Sequence, residues 1–246
     1  MRKLGHVLAL VAVVAFVRLG IWQLDRLEER QTGNALITAR FAEDPAPFAD
    51  VLAATAPGER EWRSVTVTGR FIPSEEVLLG PLGHRGAPGH DVLTPLLLGD
   101  GTALLVDRGW VPYAVTTTPV AQAAPPHGEV TVTGWLRADQ PTDGFGPDVA
   151  AEGTLDRIGS ADLRRLDRQV SAPLQPVWLQ VRQQVPANAG DLPRPIDPPV
   201  LTDEGSHRSY AVQWFVFAVV VAVGWPVLYR RTPLGARAVQ ARTSGA

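Results

Sequence analysis

The 246-residue chain has no cysteine, one methionine (Met1) and one lysine (Lys3), its other 22 basic residues being arginine. Without a thiol there is no disulfide framework, thiolate zinc site, iron–sulfur cluster or cysteine nucleophile. Five histidines and Met1 are then the only soft metal ligands. Enzyme signatures are missing as well: no G-x-S-x-G elbow, no H-E-x-x-H, no G-x-G-x-x-G opening a helix and no G-x-x-x-x-G-K-[ST]. The chain is therefore read as a non-enzyme, since the enzyme alternative, an outer-surface hydrolase, would need a nucleophile–base motif that the sequence lacks. A net charge of −2 does not suggest a nucleic-acid partner.

What the chain does have is two apolar ends around an acidic middle. Leu4 to Trp22 (LGHVLALVAVVAFVRLGIW) is long enough, at ~1.5 Å per residue, to cross a hydrocarbon core as a helix. A signal peptide would begin similarly, but no A-x-A cleavage pattern follows, so the segment reads as an uncleaved anchor. Tyr210 to Tyr229 has no charge at all and carries Tyr210, Trp214, Trp225 and Tyr229, rings suited to headgroup depth. Arg2 and Lys3 precede the first span, and Arg230, Arg231, Arg237 and Arg242 follow the second. All 25 acids lie in residues 23–209, which leaves that segment strongly negative. The positive flanks predict a protein in the lipid bilayer of a plasma membrane, with cytoplasmic tails at 1–3 and 230–246, spans at 4–22 and 210–229, and an extracytoplasmic domain at 23–209.

The middle segment reads as strand. Trp62 to Phe71 and Gly128 to Leu136 both alternate Val and Thr and share VTVTGxx, a pattern that fits two strands with similar solvent faces better than an internal repeat. Further strands are expected at Val77–Leu79, Val92–Leu98, Ala103–Pro112 and Val177–Val185, with a hairpin at Asp100-Gly101. One short helix is expected, capped by Ser160, with Leu163, Leu166 and Val170 on one face. The proline-rich stretches Pro119–Pro126 and Pro186–Pro199, and the Gln140–Gly153 run, are expected to be exposed loops or linkers. The fold class is thus a membrane protein of α+β type, two transmembrane helices flanking a mainly antiparallel, partly closed β domain.

Chemistry-bearing residues concentrate where the spans meet the outer surface. On the first helix Arg18, Trp22, Asp25 and Arg26 share one face. Arg18 can snorkel outward, or Arg18 or Arg26 can meet an anionic ligand group held between the helices. On the second helix His207, Tyr210, Trp214 and Phe217 share one face. That stripe suits interface packing, and it also suits an axial iron ligand in a haem crevice. The Gly80–Asp91 run, with His84, Arg85, His90 and Asp91, is read as a flexible hairpin tip, and His127 as a solvated loop residue.

Motifs along the whole chain carry a family resemblance: GIWQLDRLEER (Gly20–Arg30), WRSVTVTGRF, DVLTPLLLGDGTALLVDRGWVP (Asp91–Pro112), VTVTGWLR, PLQPVWLQV (Pro173–Val181) and HRSYAVQWF (His207–Phe215). The sequence resembles the Surfeit locus family of cytochrome c oxidase assembly factors, in its bacterial form. One departure is Ser206, where many relatives place Asn before the histidine. The resemblance implies a role in assembling aa3-type haem–copper oxidases. It implies haem a as a transient cofactor, His207 as its metal ligand, and the catalytic subunit, with a haem a synthase, as partners. Tyr210, Trp214, Arg18 and Arg26 would line that site. The alternative is a haem-independent, membrane-tethered scaffold that docks oxidase subunits. For Arg108, Gly109 and Trp110, which match the family's RGW motif, a structural role is expected: a bend or bulge at Gly109, packing by Trp110, and an acid or carbonyl partner for Arg108.

Overall fold

A computed structural model describes residues 2–141, 154–199, 201 and 205–231. From position 142 onward the expected Gln140–Gly153 loop lies outside the described residues, as do Arg237 and Arg242. The chain divides into two compact units, residues 1–36 with 200–246, and residues 37–199.

The first unit is built on two helices, α1 (Arg2–Phe41) and α4 (His207–Arg231), each long and apolar enough to cross a membrane. α1 does not stop where its apolar run ends at Trp22. The continuation DRLEERQTGNALITARF contains Leu, Glu, Arg, Gln and Ala and no proline, so nothing in it breaks a helix. The two helices approach closely at glycine: a Cβ on Gly20 would lie 2.6 Å from the Phe215 ring, and one on Gly5 would lie 2.6 Å from Trp225. Phe16 stacks on Trp214 with ring centroids 5.7 Å apart, and Trp225 Nε1 donates to His6 Nδ1 at 2.9 Å. Away from this seam the side chains are apolar and exposed, among them Leu4, Leu10, Val220 and Leu228.

The second unit holds the short helix α2 (Phe48–Ala54), the single-turn α3 (Leu163–Leu166) and eight strands. These are β1 (Ala46–Pro47), β2 (Ser64–Phe71), β3 (Val77–His84), β4 (Ala87–Leu98), β5 (Ala103–Pro112), β6 (Val130–Ala138), β7 (Arg157–Ile158) and β8 (Leu174–Val185). They lie in the order β1-β2-β6-β8-β5-β4-β3-β7, and an additional β2–β4 pairing joins the five long strands β2, β6, β8, β5 and β4 into a ring. The barrel is therefore closed, where only partial closure was expected from sequence. Its neighbours are antiparallel except β5 and β8, which run parallel. This connectivity is that of a small Greek-key barrel of the OB type. Val65, Val67, Phe71, Leu96, Leu104, Val106, Val132, Leu136 and Leu179 fill the core, with Phe48 and Val51 of α2 packed against them.

The two VTVTG segments turn out to be direct partners. β2 and β6 pair antiparallel with Thr66 opposite Thr133 and Thr68 opposite Thr131, and their hydroxyls meet at 3.1 and 3.0 Å. The Asp100-Gly101 hairpin forms as expected. The Gly80–Asp91 run differs: it is mostly strand, and its tip shrinks to Arg85-Gly86. Glycine and proline suggested a loop there, but pairing with β4 and β5 over-rides local preference. The cap of α3 is Asp162 and not Ser160, because its carboxylate reaches the Arg165 N–H at 3.1 Å; the helix ends at Leu166. The proline-rich stretches are not plain linkers. Val120 and Ala123 are buried against Leu78, Val92 and Val111, while Arg194 exchanges two backbone hydrogen bonds with Trp110.

Candidate functional site

At the start of α4 the half-buried His207 faces α1, and its Nδ1 lies 2.8 Å from Gln23 Oε1. A carbonyl oxygen can only accept, so Nδ1 carries the proton and donates. The Nε2 lone pair is then the one available to a metal. Trp214 and Phe217, one and two turns further on, pack with Phe16 of α1. Tyr210 is exposed at the margin of the same face.

The arginines expected beside this site are placed otherwise. Phe16, Gly20 and Gln23 form the stripe of α1 that meets α4. At ~100° per residue Arg18 lies on roughly the opposite side of the helix, where it is exposed, and Arg26 about a quarter turn off the stripe. Arg26 pairs instead with Glu29 at 2.6 Å, its guanidinium 5.8 Å from the Trp22 ring. The Phe16, Gly20, Gln23 spacing of four and three was open to inspection in the sequence, and Gln23 is the partner of His207 that reading missed. Charge drew attention to faces of α1 other than the one that meets α4. Among the described residues no group of three or more His, Asp or Glu is placed to hold a bare metal ion.

The RGW motif is buried in the barrel wall. The register of β4 against β5 shifts between Asp91 and Leu93, which places the extra residue of a bulge at Arg108-Gly109. Gly109 has φ +126° and donates its N–H to Asp107 Oδ1 at 3.0 Å. Arg108 is buried, 3.3 Å from Glu76 Oε2 and 3.1 Å from Asn188 Oδ1. Burial lowers the Arg108 guanidinium to about 10, partly offset by Glu76, so it stays charged at neutral pH. Burial likewise raises Glu76, against which it receives the Val120 N–H at 2.7 Å and the Thr94 hydroxyl at 2.9 Å. Trp110 is only 3% exposed. Neither Arg108 nor Trp110 is available as a docking surface.

Beside the bulge a cleft of about 290 Å³ is lined by Asp91, Asp107, Arg137, Trp62 and Trp178 among others. Burial raises Asp91 to about 6, and burial followed by repulsion from Asp91 raises Asp107 further from its ordinary value. Arg137 occupies the aromatic end, 3.8 Å from the Trp62 centroid and 5.1 Å from that of Trp178, and donates to Gln180 at 3.0 Å. His90 is fully buried and stacks on Tyr113, and burial followed by the nearby Arg157 charge keeps its imidazole below the ordinary range. His127 is exposed, as a loop histidine should be.

The structural class is thus a small closed barrel inserted in sequence between two helices of membrane-spanning length, with a half-buried histidine at the start of the second hydrogen-bonded to the first. Comparison with protein families matches the SURF1 family over residues 10–219, and the chain belongs to that family. An uncharacterised SURF1-like protein of Mycobacterium bovis is 29% identical over 226 residues, covering 88% of this chain and 80% of the relative. A SURF1-like protein of Monosiga brevicollis is 27% identical, covering 90% and 85%. The cytochrome oxidase assembly protein SHY1 of Saccharomyces cerevisiae is 31% identical over 94 residues, 38% of this chain and 24% of the yeast protein.

Proposed function

We propose that this SURF1-family protein is an assembly factor for an aa3-type cytochrome oxidase, holding haem a transiently on His207 for insertion into the catalytic subunit. The oxidase role is supported by the family match, which runs through both apolar helices and the barrel, and by the yeast relative's name. The haem role is supported by one observation above the others: the Gln23 carbonyl accepts a hydrogen bond from His207 Nδ1–H, so that Nε2 keeps the lone pair a metal would need. Haem a, if bound, would be held by His207 through its iron and would supply a redox-active iron and a farnesyl chain that prefers lipid. Tyr210 and Trp214 stand on the same helix face and offer flat apolar walls. The exposed apolar residues of α1 and α4 suit a bilayer, with both tails cytoplasmic and the barrel outside. In this reading the chain receives haem from the haem a synthase.

The test is purification with co-expressed haem a synthase, comparing visible spectra of wild type and His207→Ala. Wild type is expected to carry the spectrum of axially ligated haem and His207→Ala to lose it. Equal occupancy in both would refute His207 as ligand. Normal oxidase haem content in a His207→Ala strain would leave subunit docking as the activity.

A further inference from the structure

The chain before α4 turns at Gly205, with φ +71°. A Cβ at that position would lie 3.3 Å from His207 Cδ2, 3.5 Å from His207 Nε2 and 3.6 Å from Arg30 Nη1. The Cβ position that Gly205 leaves without a side chain therefore lies within 3.6 Å of both the imidazole nitrogen that keeps its lone pair and a guanidinium nitrogen. Only glycine leaves that point empty, and φ +71° is also where a side chain is disfavoured. Arg30 falls on the same stripe of α1 as Gln23, seven residues or two turns later, which is why it reaches the His207 end of α4 when Arg18 does not. Arg30 is exposed, so its side chain can adjust to a ligand.

We infer that Arg30, across the cradle left by Gly205, binds a carboxylate of the ligand that His207 ligates through Nε2. The inference rests on the haem reading above and deepens it. A haem carries two propionates, and the site selects for that acid group in addition to the iron. Gln23 orients the ring, Arg30 supplies the charge, and Gly205 keeps the space between them open. The Arg18 and Arg26 side chains take no part.

Arg30 binding to a carboxylate can be separated from axial ligation with two probes, haemin and its dimethyl ester, which has the same iron and no free acid. Each is titrated into full-length protein in lipid nanodiscs and followed by the Soret band. Wild type is expected to prefer haemin, and Arg30→Gln to lose about tenfold in haemin affinity while binding the ester unchanged. Arg30→Lys should retain the preference in part, and Arg18→Gln should retain all of it. An Arg30→Gln protein that still prefers haemin as wild type does, or an Arg18→Gln protein that loses the preference, overturns the inference. If His207→Ala binds both probes as tightly as wild type, the haem reading itself has failed.

Discussion

Gly109 shows how one residue sets local geometry in the barrel. A Cβ there would sit 2.3 Å from the Arg194 carbonyl oxygen, and its φ of +126° is a conformation that side chains rarely adopt. Gly109→Ala is expected to cost about 1–3 kcal/mol from the backbone alone. It should also break the Trp110–Arg194 bridge, which a lower urea midpoint and increased quenching of Trp110 fluorescence would report. Asp91 carries a pH signature of definite sign. Its carboxyl is raised from 3.8 to about 6 by burial, so between those values the folded chain binds a proton that the unfolded chain does not. The stability this contributes is present below the lower value and lost as pH rises through the higher one. Asp91→Asn should therefore stabilise the protein at pH 8 by at least about 1 kcal/mol, and the gain should vanish near pH 4. A gain that grew on acidification would show that Asp91 is held ionised instead.

At the scale of elements, the seam between α1 and α4 depends on small residues facing large rings. Gly20 against Phe215 and Gly5 against Trp225 let the helices approach, while Phe16, Trp214 and Phe217 fill the gap between those points. The absence of native cysteine makes this testable without background. Cysteines replacing Phe16 and Trp214 are expected to cross-link with a short bifunctional reagent, and Gly20→Leu in the same chain should suppress the product. The paired Thr66/Thr133 and Thr68/Thr131 hydroxyls give the β2–β6 pair a second check. Replacing Thr66 and Thr133 together by Ala should destabilise the barrel by about 0.2–1 kcal/mol in chemical denaturation.

For the whole molecule, the charge distribution makes the strongest demand. All 25 acids lie between the two apolar runs that end at Trp22 and begin at Tyr210, and the flanking tails are basic. Reporter fusions at the exposed Pro198-Pro199 step should be active outside the cytoplasm and fusions at the C-terminus active within it. The reverse result would invert the topology. The closed barrel gives this middle segment its own core, so its stability does not depend on charged surface pairs such as Arg85–Asp197, which are worth little in water.

Much was legible in the chain itself, because hydrophobic runs and the period-two alternation of Val and Thr are local properties. They placed both long helices, all five barrel strands and the Asp100-Gly101 turn. The end of α1 was not legible, since a helix stops where something breaks it and not where it ceases to be greasy. Barrel closure was hidden as well, because the β2–β4 pairing joins residues far apart in sequence. His207 was visible as a candidate from its own helix face. Which side of α1 it meets, and hence Gln23 and Arg30 in place of Arg18 and Arg26, was decided only by how the two helices pack: a hydrogen bond and a glycine-sized gap have no counterpart in a single helix's pattern.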